Sequence, residues 1–491
     1  MYNVCGRGIL SCKDCLKSCS KVSVTASRLP SRKSSVTREL AQIFNPRSVA
    51  IIGASGNPDK LGYLLLKGFM DLDFRGHLYP INPNTSRRIL DLDVYPSVKD
   101  VAGEVDLAVI TLPAEAAMPT VRECIEKKVK GIILFSAFPE GVHPAHPQIR
   151  ETLSLARRNG VRIIGPNSMG LYSPSAGLAI FAHMPKQPGP VGFISHSGAL
   201  AYAFSSYLGN RGVGFSKVVA CGNEWDLTWA DFLEYLGQDS DTEIIAGYIE
   251  GAKDGARFIQ VTKEITRRKP VIVIKGGKSR TGSQFVSSHT GSIAGNQSIW
   301  GSVFEQVGII PVESFQDLID HVIVFNHFGH HPVGERIAIV SGTGGPITIT
   351  ADFCEKLGLK IPMLSARIRA KLEELLPPTG TSSKNPVDVS IAAATNLSLY
   401  TKPVELLDSC DEVDAILLIH TGDWRCEEVA QAILDISRNI HKPLMVALLG
   451  TPEKAGRAIL SLVQAGIPAF TSTEGPLKAL ASLVKWRTKR Q

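Results

Sequence analysis

One pattern constrains this chain more than any other, because it occurs three times at nearly equal intervals. Ser48-Val49-Ala50-Ile51-Ile52 runs into Gly53-Ala54-Ser55-Gly56, Val191-Gly192-Phe193-Ile194 into Ser195-His196-Ser197-Gly198, and Ile337-Ala338-Ile339-Val340 into Ser341-Gly342-Thr343-Gly344-Gly345. Each is a short apolar strand, a Gly/Ser turn and a segment readable as a helix. A strand apolar at every position is buried on both faces, as in a parallel sheet covered by helices. The interval of roughly 145 residues is close to one typical domain. Between the turns, a helix is expected near Leu61–Leu72 and strands at 77–81, 107–111, 131–135 and 161–164. Further strands are expected at 217–220, 244–249 and 271–275, then at 415–420 and 444–448. Apolar strands alternating with helical segments predict an α/β fold of three doubly wound domains. Loop-like stretches at 184–190 and 327–334 divide the chain into an extension (1–37) and domains over 38–184, 185–330 and 331–491.

Charge and hydropathy remove several function classes. No run approaches the roughly 18 apolar residues of a membrane-spanning helix, so no membrane segment is expected. The 53 Lys and Arg exceed the 46 Asp and Glu by seven, yet residues 1–35 alone hold seven basic side chains and the single acid Asp14. Six of the seven excess charges therefore sit in the extension. The remainder is nearly neutral, and no nucleic-acid partner is expected. Lys485, Arg487, Lys489 and Arg490 form a second, small basic group.

Cys124, Cys221, Cys354, Cys410 and Cys426 are scattered singly and read as core thiols of a reducing compartment. Cys5, Cys12, Cys15 and Cys19 crowd the extension. Their spacing admits a zinc or iron–sulfur site, and the Ser-rich, basic surroundings admit an organelle transit peptide or an unstructured arm. The apolar core of a secretory signal is missing. A cytoplasmic location is expected, with organelle targeting left open, and no metal site is assigned.

Backbone N–H groups at a glycine turn entering a helix converge on one spot where the helix dipole favours an anion, and small residues let a phosphate approach. The three turns are thus three candidate phosphate or nucleotide cradles, although glycine also serves simply to close a tight turn. The first turn does not match G-x-G-x-x-G, and Tyr79-Pro80-Ile81-Asn82-Pro83 carries no acid for a ribose, so NAD is disfavoured. Among the twelve histidines, His289 stands apart in Ser287-Ser288-His289-Thr290-Gly291-Ser292, where small neighbours would leave the ring accessible. A neutral imidazole is a competent nucleophile toward phosphorus when its second nitrogen is held by an acceptor. Glu250, which follows the apolar run 246–249, is a candidate for that acceptor.

These segments resemble, in order, the alpha subunit of the NDP-forming acyl-CoA synthetases, such as the ADP-forming acetate–CoA ligases, and more remotely succinyl-CoA synthetase. The similarity spans roughly residues 38–485. It implies a Rossmann-like coenzyme A-binding domain followed by two flavodoxin-like CoA-ligase domains. Coenzyme A would be bound by Gly53, Ser55, Lys60, Gly62, Asn82, Pro113, Ser136, Phe138 and Asn167. Phosphate would meet Ser197 and Gly198 together with Gly222 and Asn223, the latter pair followed by Asp226. Tyr248-Ile249-Glu250-Gly251 and Ser288-His289-Thr290-Gly291 resemble the segments carrying the acidic partner and the phosphorylated histidine. In the third domain the matching segments are Gly344-Gly345-Pro346 and Asn385-Pro386-Val387-Asp388.

The implied reaction interconverts acyl-CoA, phosphate and ADP with a carboxylic acid, CoA and ATP, through an acyl phosphate and a phosphohistidine. Its nucleotide step uses an ATP-grasp domain that these residues do not contain. The resemblance therefore implies a separate beta subunit carrying ADP or ATP with Mg2+, and a hetero-oligomer. The alternative on the same scaffold is a CoA- or nucleotide-sensing regulatory subunit without turnover, which would not need both His289 and Glu250. Three positions depart from the family pattern: His196 replaces the usual Gln, Ser136-Ala137-Phe138 lacks the Gly of Ser-Ala-Gly-Phe, and Gly342 stands where Asn is usual.

Overall fold

The computed structural model describes residues 32–85, 88–139, 141–142, 144–290 and 297–490, with only the backbone at 32–35, 287–290 and 297. The four N-terminal cysteines, most of the basic extension and His143 lie outside the described residues.

Three sheets follow one another along the chain. The first segment comprises α1 (Arg32–Phe44), β1 (Ser48–Ile52), α2 (Leu61–Asp71), β2 (His77–Ile81), β3 (Leu107–Ile110), α3 (Ala114–Glu126), β4 (Gly131–Leu134), α4 (Pro147–Arg158) and β5 (Arg162–Ile164). The second runs β6 (Gly170–Tyr172), β7 (Pro188–Ser195), α5 (Gly198–Gly209), β8 (Phe215–Ala220), α6 (Trp229–Gln238), β9 (Ile244–Ile249), α7 (Gly255–Thr266), β10 (Val271–Lys275), α8 (Arg280–Thr290), α9 (Gln297–Val307), β11 (Ile310–Val312) and α10 (Phe315–Phe328). The third holds β12 (Ile337–Ser341), α11 (Gly344–Leu357), α12 (Ala366–Leu375), β13 (Val387–Asp388), α13 (Ser398–Asp408), β14 (Ala415–Thr421), α14 (Cys426–Ser437), β15 (Leu444–Leu449), α15 (Pro452–Gln464), β16 (Ala469–Phe470) and α16 (Glu474–Thr488).

The strand orders are β2-β1-β3-β4-β5, β8-β7-β9-β10-β11 and β13-β12-β14-β15-β16. Each sheet thus starts inside, steps to one side and then crosses to the other, the flavodoxin-like order 2-1-3-4-5. These strands pair in parallel, and β1, β3, β4 and β12 are buried at every position, as their apolar runs require.

One strand departs from the sequence expectation. β6 precedes the break expected at residue 184, yet it pairs antiparallel with β8 at the edge of the second sheet. Gly170-Leu171-Tyr172 is too short to show a period, and its partner is set by where the chain leaves β5. The border expected at residue 37 falls inside α1, which packs on α6 of the second segment with the Phe44 and Tyr235 rings stacked 5.0 Å apart.

The segments share their cores. Leu40, Ile43 and Phe44 of α1 join Val49 and Ile51 to Trp229, Phe232 and Tyr235. Leu318, Val322 and Phe325 of α10 join Phe193 and Phe204 to Ile337, Leu477 and Leu480. Continuous apolar contact of this kind fixes the relative placement of the three sheets. Cys124, Cys221, Cys354, Cys410 and Cys426 are buried and unpaired by disulfides. No helix among the described residues is long and apolar enough to cross a membrane.

Candidate active site

In a parallel sheet all strand C-termini lie on one edge, and the order 2-1-3 opens a crevice between strands one and three. In the first sheet that crevice lies between the turn after β1 and the turn after β3. Gly53 has φ +97°, and a Cβ on it would lie 2.4 Å from Thr111 Oγ1. A Cβ on Gly62 would lie 2.1 Å from the Gly53 carbonyl oxygen. Both glycines therefore let the strand, the turn and α2 close on each other; they are required by the protein's own packing and not by the approach of a ligand. Gly56 is different. A Cβ there would meet nothing within 4 Å.

Ser55 Oγ accepts the Asn57 N–H at 3.1 Å, and the exposed Lys60 stands at the N-cap of α2. Asn82, after β2, donates its amide to the Ala54 carbonyl at 2.8 Å, tying the second strand end to the turn. Pro113 caps α3 after β3. Ser136, after β4, donates its hydroxyl to the Leu112 carbonyl and accepts the Asn167 N–H at its own carbonyl, 2.9 Å away. Asn167, after β5, has φ +55°. Phe138 packs its ring 4.8 Å from that of Trp225. The residues assigned to coenzyme A by resemblance thus occupy the same edge of the first sheet.

The second crevice lies between β7 and β9. Ser195 Oγ donates to the Ser197 carbonyl at 2.6 Å and accepts the Ser197 N–H at 3.1 Å, folding the turn over itself. Ser197 caps α5, its Oγ accepting the Leu200 N–H at 3.3 Å. A Cβ on Gly198 would lie 2.3 Å from Met169 Cγ, and one on Gly222, with φ +60°, 2.1 Å from the Pro166 carbonyl oxygen. These glycines too are explained by packing. Asn223 donates its N–H to the Pro166 carbonyl at 2.8 Å, while its buried Oδ1 has no partner among the described residues.

Glu250 follows β9 directly and is buried. Its Oε1 accepts the Tyr248 hydroxyl at 3.0 Å, and its Oε2 is buried with no partner among the described residues. Lys275, the last residue of β10, is buried and donates to the carbonyls of Glu250, at 2.8 Å, and Gly276. Burial pushes its ammonium down to about 8, against the opposing pull of the Glu250 charge. His196 accepts the Glu250 N–H at Nδ1, 2.9 Å away, and its Nε2 lies 3.0 Å from Glu224 Oε1. His289 is the penultimate residue of α8, which follows β10; its side chain lies outside the described residues.

Sequence reasoning gave no role to Tyr248, Lys275 or Glu224. Tyr248 stands two residues before Glu250, the strand period that puts both on one face, and Lys275 is a charge ending an apolar run; both are readable signals. Glu224, in a loop at φ +53°, offers none.

Asp226, placed by resemblance in an active-site loop, turns away from the crevice to Arg157 and Arg162. In the third sheet Ser341 and Thr343 repeat the Ser195/Ser197 turn, with contacts of 3.2 and 3.3 Å. Gly342 stands where a Cβ would come within 2.8 Å of the Tyr400 hydroxyl. Asn385 is structural: its side chain bonds Ile339 N–H and the Ile337 carbonyl, acting as a partner for β12.

A flavodoxin-like sheet with a glycine turn at its switch point, next to a second α/β domain, is the class of architecture that binds phosphate-bearing ligands at strand C-termini. Residues 47–174 match the CoA-binding domain family, and residues 188–325 match the succinyl-CoA ligase-like flavodoxin domain. The subunit alpha of acetate–CoA ligase [ADP-forming] II from Pyrococcus furiosus is 36% identical over 458 residues, covering 91% of this chain and 97% of that one. The acetate–CoA ligase [ADP-forming] of Methanocaldococcus jannaschii is 37% identical; the match again covers 91% of this chain but 63% of that longer one. The solved acetyl-coenzyme A synthetase 1 of Ca. Korarchaeum cryptofilum, in complex with phosphate and ADP, superposes with a TM-score of 0.81 at 30% identity over 92% of this chain and 97% of that one. This chain belongs to the family of ADP-forming acetate–CoA ligase alpha subunits.

Proposed function

We propose that this chain is the alpha subunit of an ADP-forming acyl-CoA synthetase acting on acetate or a similarly small acid, with His289 as phosphoryl carrier and Glu250 as its acidic partner. A phosphate oxygen attacks the thioester carbonyl, the C–S bond breaks, and CoA leaves as its thiol. An imidazole nitrogen of His289 then attacks phosphorus, the P–O bond of the acyl phosphate breaks, and the carboxylate leaves. Glu250 accepts the other imidazole N–H, orienting the neutral ring for attack and stabilising the charge it acquires. The N-terminus of α5, after Ser197 and Gly198, offers backbone donors and dipole to the phosphoryl oxygens, with Gly222 and Asn223 on the facing loop. Transfer to ADP then breaks the P–N bond; every step is reversible.

The observation that carries this reading is the buried Oε2 of Glu250, which has no partner among the described residues after Tyr248 has taken the other carboxylate oxygen. A buried acceptor without a donor is costly and marks a place where a further group docks. Coenzyme A is placed along the first edge, where Lys60 supplies a cation and the open space at Gly56 admits a phosphate. The nucleotide step is assigned to an ATP-grasp beta subunit with Mg2+, in line with the subunit name of the Pyrococcus relative and the greater length of the Methanocaldococcus one.

The test is labelled inorganic phosphate with acetyl-CoA, comparing wild type with His289→Asn, with and without an ATP-grasp partner. Acid-labile, alkali-stable label on wild type alone is expected. Label retained on His289→Asn would reject the assignment.

A further inference from the structure

His196 is buried at the centre of the second crevice, and its two ring nitrogens do opposite things. Nδ1 accepts the Glu250 N–H, so the lone pair is there and the proton is on Nε2. That proton faces Glu224 Oε1, 3.0 Å away. Glu224 is itself anchored: it accepts the Trp229 N–H at the start of α6, and its carbonyl accepts Lys253 Nζ at 2.9 Å. The loop that carries Glu224 is held to the first domain by the Asn223 and Trp225 N–H groups, bonded to the carbonyls of Pro166 and Gly165 at 2.8 and 2.9 Å. A single neutral imidazole therefore joins the phosphate turn, a loop fixed to the CoA-binding domain, and the backbone of Glu250.

We infer that His196 is the positioning residue that holds Glu250 in register with the phosphoryl-accepting ring, using Glu224 as its anchor. The inference rests on the proposed roles of Glu250 and His289. It also accounts for the departure from the family's usual Gln. A glutamine amide offers one acceptor oxygen for the Glu250 N–H and one donor nitrogen for Glu224, the same pair that the neutral ring presents. Asparagine has the same chemistry on a shorter stem and cannot span both partners.

The experiment follows phosphoenzyme formation from labelled phosphate and acetyl-CoA on the full chain, together with thermal unfolding. His196→Asn is expected to acquire label at least about tenfold more slowly, because a misplacement near 1 Å costs that much or more. Its KM for acetyl-CoA should stay within about twofold, since the interaction lost is not one that binds substrate. His196→Gln should recover most of the rate. If the Asn variant proves unstable, Glu224→Ala leaves the ring in place but unanchored and should show the same loss. Wild-type rates in the folded Asn variant would overturn the inference, as would a folded Gln variant no faster than Asn. Label persisting on Glu250→Gln at the wild-type rate would instead overturn the reading beneath it.

Discussion

Asp226 reaches back from the second domain into the first, its Oδ2 2.9 Å from Arg162 Nε and its Oδ1 2.7 Å from Arg157 Nε. The same carboxylate accepts the Ile163 N–H at 3.0 Å, and Arg162 is held from its other side by Glu39 of α1. The Asp226 side chain is almost wholly buried, so this cluster fastens β5, α4 and α1 to the loop that also carries Asn223 and Glu224.

Arg157 is largely exposed, but removing Asp226 deprives the largely buried Arg162 of its buried partner. Asp226→Ala should therefore lower stability by about 3–5 kcal/mol. Urea unfolding followed by tryptophan fluorescence checks this, Trp225 lying beside the junction. A midpoint equal to wild type would show that the cluster does not hold the domains together.

Glu250→Gln keeps the shape of the side chain and removes its charge. Phosphoenzyme formation should fall by about 10- to 100-fold, the size expected when a carboxylate that orients a histidine is lost, with the KM for acetyl-CoA nearly unchanged. Tyr248→Phe removes one hydrogen bond to that carboxylate, worth about 1.5–3 kcal/mol, but leaves its charge, and should slow the same step less than Glu250→Gln does. Single-turnover labelling separates the two.

The first turn offers a direct comparison between glycines. Gly62→Ala drives a methyl into the Gly53 carbonyl and should unfold or strongly destabilise the first domain. Gly56→Ala meets open space and should leave the melting temperature unchanged. If a CoA phosphate approaches there, its KM for CoA should rise by about fivefold or more, the loss of one such contact being worth about 1 kcal/mol or more. Calorimetry with CoA distinguishes a binding effect from a folding one.

Asp320, on α10 against the start of α16, is buried, and burial pushes its carboxyl up to about 6, partly opposed by the Gln316 amide that donates to it at 2.8 Å. Because this exceeds the ordinary value of 3.8, the folded state binds more protons between pH 4 and 6. Stability from this group is present below pH 4 and is lost as pH rises through 6. Asp320→Asn should thus stabilise the protein at pH 7.5, by on the order of 2–3 kcal/mol, and the two melting curves should converge below pH 4. Parallel curves at all pH values would remove the titration from the account.

The placement of the candidate residues was readable because parallel sheets put strand ends on one edge: recognising a strand locates the residue after it. Ser136, Asn167, Ser197 and Glu250 all stand at such positions. What escaped were partners distant along the chain. The reason for Gly62 lies at Gly53 and that for Gly222 at Pro166, and neither can be read from the glycine itself.

Three α/β units, the buried strands and the residues at their ends follow from local patterns along the chain, because burial periodicity and turn chemistry are local properties. Tertiary structure alone decided that β6 joins the second sheet, that Asp226 is a clamp and that His196 meets both Glu224 and Glu250. Those pairings depend on which strand crosses to which side, and only the packed topology brings residues so far apart along the chain within hydrogen-bond reach, His196 and Glu250 among them.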